Sequence, residues 1–319
     1  MSYARVRLQK YILKPEVRTR LVYFAIRAIV TGLMHLHSIN ATHRDMKPEN
    51  LLLRIPPFGA EFSSDDIKIG DLGYSACEGV NLGETANDLP GTLPYMAPTV
   101  LKAREECRKI VVATLERAVT QCDGPTKERV QQIQKDFDRP PDDSQRISRQ
   151  KALSMLEEVR TDFKALVRDT KAEMLRHVTP DWCKDDVYST AISIWQICNP
   201  DFDPFPMLDK SNTAASERKF FSHLRQGHRP EHSDRGPVAK GTVDQRLWWM
   251  IVDSGVLEES WGTEASQRLD STELCEKTCR VLDAFEDEQR TKDLLQRAAL
   301  DAPPTGGAAH AGRRRSRGA

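Results

Sequence analysis

The stretch THRDMKPENLLL, Thr42 to Leu53, brings a carboxylate, an ammonium group and a carboxamide together at Asp45, Lys47 and Asn50. Transfer of a phosphoryl group to a hydroxyl asks for this set. A carboxylate orients the hydroxyl and accepts its proton, a cation neutralises the moving phosphoryl, and oxygen ligands hold a divalent ion against the phosphates. Taken singly, each residue has a plainer reading: Asp45 and Asn50 as loop formers, Lys47 as a surface charge. Their closeness is what raises the chemistry.

The flanks give the stretch a structural setting. Upstream, Leu21, Phe24, Ala25, Ala28, Ile29, Gly32, Leu33 and Leu36 recur at helical spacing, which predicts a helix from Arg18 to His37 with one buried stripe. Its apolar run LVYFAIRAIVTGLMHLH is short for a membrane span and carries Arg27. Downstream, LLLR and IKIGD bracket a loop from Ile55 to Asp66 and predict a small hairpin. Asp71 follows in IKIGDLG, with Gly73 expected to permit the sharp turn. Asp and Asn supply hard oxygens of the kind magnesium prefers. Residues 74–90 lack periodicity and read as an exposed loop.

HRDMKPENLLL resembles the catalytic loop of eukaryotic protein kinases, and IGDLG resembles their metal-binding DFG segment with Leu72 in place of Phe. The resemblance implies that Asp45 is the base, that Lys47 contacts the γ-phosphate of ATP, and that Asn50 and Asp71 bind Mg2+. Lys47 follows the serine/threonine pattern. GTLPYMAPT, Gly91 to Thr99, resembles the end of an activation segment, with Thr92 bridging toward Asp45 and Lys47. DVYSTAISIW resembles the helix whose leading acid, Asp186, anchors the catalytic-loop backbone. RQGHRPE and ESWGTEASQRLDS resemble late segments of the tyrosine-kinase-like group, with Trp261 and Arg268 in place. The implied cofactors are ATP and Mg2+, and the implied partners are protein substrates. Arg44, beside Asp45, implies docking of a phosphate carried by the activation loop, with Ser75 and Thr85 as acceptors.

The implied fold is α+β: a protein-kinase-like, mainly helical C-terminal lobe with a small β-hairpin, interrupted by a helical insertion, with the N-terminal β-lobe absent. No GxGxxG occurs, and neither Lys10 nor Lys14 stands in the context of the strand lysine. The expected truncation, or a start upstream of Met1, sets a working transferase against a non-catalytic interaction module. Thr99 also departs from the family, where a Glu pairs with the Arg matched by Arg268; Glu105 or Glu106 is the expected substitute, since a buried Arg without a partner is costly.

These segments divide the chain at 1–100, 101–180, 181–298 and 299–319. In the second part, RKIVVATLERAV and KALSMLEEVRTDFKALVRDTKAEML carry apolar positions every three to four residues. Ala152, Leu156, Val159, Phe163, Val167, Thr170 and Met174 lie on one stripe. The pattern predicts a long helical hairpin with a short helix at 126–137, broken at Pro140 and Pro141 and resuming at an N-cap on Ser144. The stripes either pack on each other and the main domain, the commoner arrangement, or receive a protein partner. The last part reads as a disordered, low-complexity basic tail whose RRRSR is either solvated or a nuclear-import or phosphate-binding patch.

With 47 basic and 47 acidic residues, overall charge points to neither nucleic acid nor an anionic membrane as the main partner. Seven cysteines, odd in number and without CxxC, favour reduced thiols and a cytoplasmic, or through the tail nuclear, setting. Cys275 and Cys279 share a helix face, where packing outweighs metal binding. Trp195, Trp248, Trp249 and Trp261 are expected in the core, and His37 and His43 as packed, hydrogen-bonded side chains.

Overall fold

The computed structural model describes residues 3–5, 15–54, 63–77, 89–139, 147–177, 180–200, 202–206, 208, 214–231 and 244–301. Its centre is α1 (Pro15–Ser38), which packs on β4 (Ile67–Ile69), α6 (Trp182–Cys198) and α9 (Ser271–Asp301). Ile26, Ile29, Val30 and Leu33 of α1 are fully buried, each such side chain contributing about 1.5–3 kcal/mol. By length and apolarity α1 would pass for a membrane-crossing helix, but its apolar stripe is spent on this core. Gly32 allows the close approach to β4, because a Cβ there would stand 2.6 Å from Ile69 Cδ1.

Two small sheets set the connections that matter. β3 (Leu51–Arg54) pairs antiparallel with β4 in the register Leu51 to Ile69 and Leu53 to Ile67, and β1 (Tyr3–Arg5) adds on the other side of β3. β2 (Ala41–Thr42) pairs with β5 (Ala76–Cys77). Because β2 leads into β3 and β4 into β5, loop 43–50 and turn 70–75 run side by side. Strand β1 has no counterpart in the sequence reading, and Lys10 and Lys14 lie outside the described residues.

The hairpin expected after the activation segment is four helices: α2 (Pro98–Thr120), α3 (Gly124–Asp138), α4 (Arg149–Val159) and α5 (Phe163–His177). Their stripes pack on one another, with Leu115 and Ala118 of α2, Val130 of α3, Leu153 and Leu156 of α4 and Val167 of α5 fully buried. The Thr114 and Thr170 hydroxyls meet at 2.8 Å across the α2–α5 contact. Ser148, not Ser144, caps α4, its hydroxyl accepting the Lys151 N–H; Pro140, Pro141 and Ser144 lie outside the described residues.

The periodicity runs unbroken through 160–162, but the structure does not. Arg160 is extended (φ −148°, ψ 136°), and its guanidinium donates to the Gln121 carbonyl at the end of α2 while pairing with Asp162. The helix is given up there because α2 offers a terminal carbonyl that has no helical partner of its own. Arg104 ties this region to the rest, donating to the Leu89 carbonyl and pairing with Glu217 of α7 (Ala214–Arg225). On α8 (Gln245–Asp253) Trp248 is buried, but Trp249, one position round the helix, is 38% exposed and not core.

Candidate active site

After α1, Asn40 takes the left-handed conformation (φ 53°) and turns the chain into β2. Loop 43–50 is then held from beneath. Asp186 of α6 accepts the backbone N–H of His43 at 2.7 Å and of Arg44 at 2.8 Å, and His37 Nε2 stands 3.2 Å from the same carboxylate. Those bonds support Arg44 at φ 68°, a region costly for a residue with a side chain. Fully buried His43 accepts the Asp45 N–H at Nδ1 (3.2 Å) and faces the Gly70 carbonyl with Nε2 (3.0 Å). That pairing assigns the proton to Nε2.

Above this base the chemistry-bearing groups converge. Thr92 Oγ1 donates to Asp45 Oδ1 at 2.7 Å, while Lys47 Nζ donates to Asp45 Oδ2 at 2.5 Å and to Thr92 Oγ1 at 2.7 Å. Asn50 Nδ2 donates to the Asp45 carbonyl at 2.8 Å, which leaves its amide oxygen as the ligating atom. The Gly70 N–H donates to the Asn50 carbonyl at 2.8 Å. Both backbone groups of Gly70 are thus tied to the loop, and Asp71 is the next residue along the chain. The left-handed turn falls on Asp71 itself (φ 63°, ψ 57°), not on Gly73, and Asp71 is exposed. Asp tolerates that conformation better than most residues.

An amide oxygen at Asn50 and a carboxylate at Asp71 are hard ligands of the kind that fit magnesium, which is bound by one or two side chains plus phosphates and water. Among the described residues no three His, Cys, Asp or Glu side chains gather as a denser metal site.

Arg44 is 93% buried, stacks over Trp182 at 4.6 Å and donates through Nε to Thr42 Oγ1. Burial lowers its pKa, partly offset by Asp186, and Nη1 is buried with no hydrogen-bond partner. Ser75 keeps its hydroxyl buried and unpartnered; Thr85 lies outside the described residues. The segment 92–99 passes close to the loop at Gly91 (φ 131°), where a Cβ would stand 3.3 Å from the Arg44 carbonyl.

The partner of Arg268 is neither Glu105 nor Glu106. Asp185 accepts from Arg268 Nη1 at 2.6 Å, and the Thr99 hydroxyl donates to the same oxygen. Burial pushes the Asp185 carboxyl up to about 6, with Arg268 and Thr99 holding it down. The doubled acid Asp185–Asp186 was the signal for this in the sequence. Trp182 and His43 also have site roles that only the fold displays.

The protein kinase domain family model matches residues 1–113. Rhodopsin kinase grk7a of Danio rerio is 37% identical over 82 residues, 26% of this chain and 13% of that protein. Serine/threonine-protein kinase plk-1 of Caenorhabditis elegans is 40% identical over 95 residues, 29% of this chain and 12% of that protein. A mouse relative, 33% identical over 96 residues (30% of this chain, 14% of that protein), is named inactive serine/threonine-protein kinase PLK5. The chain spans between a tenth and a fifth of the length of such relatives. What these matches show is that residues 1–113 are similar to the protein kinase domain.

Proposed function

We propose that this chain is one lobe of a serine/threonine protein kinase and transfers the γ-phosphoryl of MgATP to Ser or Thr hydroxyls of proteins. The observation that carries this reading is the triangle of Asp45, Lys47 and Thr92, with contacts of 2.5–2.7 Å. Asp45 is held with both oxygens oriented before a substrate arrives, so it can align a hydroxyl and take its proton as the oxygen attacks. Lys47 lies against that carboxylate as the cation nearest the transferring group. Asn50 and Asp71 would hold Mg2+, which supplies neutralisation of charge on the phosphates.

No GxGxxG lies within residues 1–319, so we infer that ATP is held weakly by this chain alone. Placement in the tyrosine-kinase-like group rests on RQGHRPE and ESWGTEASQRLDS. Reduced thiols favour a cytoplasmic setting, and RRRSR a nuclear one; the outer faces of α2–α5 are where we place a protein partner.

Incubation with labelled MgATP and a generic protein substrate tests the reading. Incorporation by the wild type that disappears in Asp45→Asn is the expected result. No incorporation, together with no MgATP-dependent thermal shift, would leave a non-catalytic interaction module. The unpartnered Nη1 of Arg44 supports phosphate docking from Ser75 or Thr85. Full activity in the Ser75→Ala/Thr85→Ala protein would remove that regulation.

A further inference from the structure

Near its start α6 carries two acids in succession, Asp185 and Asp186, and they serve different loops. Neighbouring positions on a helix point ~100° apart. Asp186 therefore reaches the catalytic-loop backbone at His43 and Arg44 while Asp185 reaches Arg268. Both members of the second pair are out of water, with side-chain exposures of 0% for Arg268 and 4% for Asp185.

Arg268 gathers the surrounding chain. Nε donates to the Gly262 carbonyl, Nη1 to that of Lys184 and Nη2 to that of Thr263, while Nη2 lies 3.3 Å from Thr99 Oγ1. All of these partners are neutral; Asp185 is the anion in the set. One turn further along α6, Ser189 donates to the Tyr95 carbonyl at 2.7 Å. Segment 92–99 is thus held at Tyr95 by Ser189 and at Thr99 by Asp185, and its first residue, Thr92, lies on Asp45.

We infer that Asp185 is a positioning residue: through Thr99 and Arg268 its carboxylate keeps the segment bearing Thr92 in register with the catalytic loop that Asp186 holds. The consequence for turnover rests on the proposed phosphoryl transfer; the geometry does not. A charge that positions can be moved, whereas one that merely fills its own site cannot. Thr99 offers the new place. It is half-buried, already reaches Arg268, and borders a groove of about 830 Å³ between α2, α7 and Thr263–Glu264, so a longer acidic side chain has room.

The test compares wild type, Asp185→Ala, Thr99→Glu and the double variant by amide hydrogen exchange. The amides of Tyr95 and Met96, bonded to Thr92 and Leu93, report on the segment; those of His43 and Arg44 report on the catalytic loop. Asp185→Ala is expected to speed exchange in the first pair by about tenfold and leave the second unchanged. Thr99→Glu in that background is expected to restore protection. Equal acceleration in both pairs, or no restoration, overturns the inference.

Should Asp185→Ala not fold, Asp185→Asn keeps the shape and the Thr99 bond while removing the charge. A smaller acceleration in the same two amides is then expected, and none overturns the inference. In a phosphate-transfer assay Asp185→Ala should raise KM for the protein substrate and lower kcat, with Thr99→Glu recovering both. If the wild type transfers no phosphate, the functional reading falls while the exchange comparison still decides the role of Asp185.

Discussion

Loop 43–50 with its supports, and the four helices spanning 98–177, are folded by different means. Around the loop the buried residues include His43, Arg44, Asp45, Asn50, Asp185 and Asp186, and two residues other than glycine, Arg44 and Asp71, are left-handed. In the helices the buried positions are apolar apart from Thr114 and Thr170, which bond to each other. Polar burial and backbone strain are costs that a fold carries only where other contacts over-determine them. Here they concentrate around loop 43–50, and among the described residues of the helical region the buried polar side chains are Thr114 and Thr170, which satisfy each other.

Breaking the comparison at its strongest point means removing Asp186. Asp186→Ala strands the two buried amides of His43 and Arg44 and releases His37, for an expected loss of about 3–5 kcal/mol at ~1–3 kcal/mol per unsatisfied group. Urea denaturation with activity measured in parallel would show both falling together. In the other region, Leu115→Ala empties a fully buried site and should cost ~2–5 kcal/mol by the same denaturation. Its residual activity per folded molecule should stay near wild type. A kinetic defect exceeding the loss of folded protein would mean that the helices shape the site.

The smallest effect is the most discriminating. Asn40→Gly and Asp71→Gly each relieve a left-handed residue and should raise stability by up to about 1 kcal/mol in thermal melts. Asn40→Gly should keep phosphate transfer and Asp71→Gly abolish it, along with any Mg2+-dependent shift in melting. Stability lost rather than gained at Asp71 would show that its conformation is not strained.

Much of the site was legible because its parts lie close in sequence. Asp45, Lys47 and Asn50 share one loop, and Thr92 and Asp186 were found by the order of short motifs around it. The structure brings Thr92 and Lys47 onto Asp45 and lays Asp186 under His43 and Arg44. Less was legible where an alternative existed at equal local cost. Gly73 was the natural residue for the turn, yet β4 and β5 set the turn so that Asp71 takes it. Glu105 and Glu106 were the near acids for Arg268, yet α2 carries them along the groove with Lys109 instead.

By itself the amino-acid order determined the apolar stripes of α1 and α2–α5 and the identities of the polar groups in loop 43–50. Both are decided within one or two turns of chain, by side-chain spacing and local hydrogen bonding. Only the tertiary structure decided that α4 and α5 part at Arg160, that Trp249 faces outward, and that Asp185 neutralises Arg268 across 83 positions. Those outcomes depend on which carbonyls, charges and faces meet when distant elements pack, and a buried charge selects whichever opposite charge the packing brings within reach.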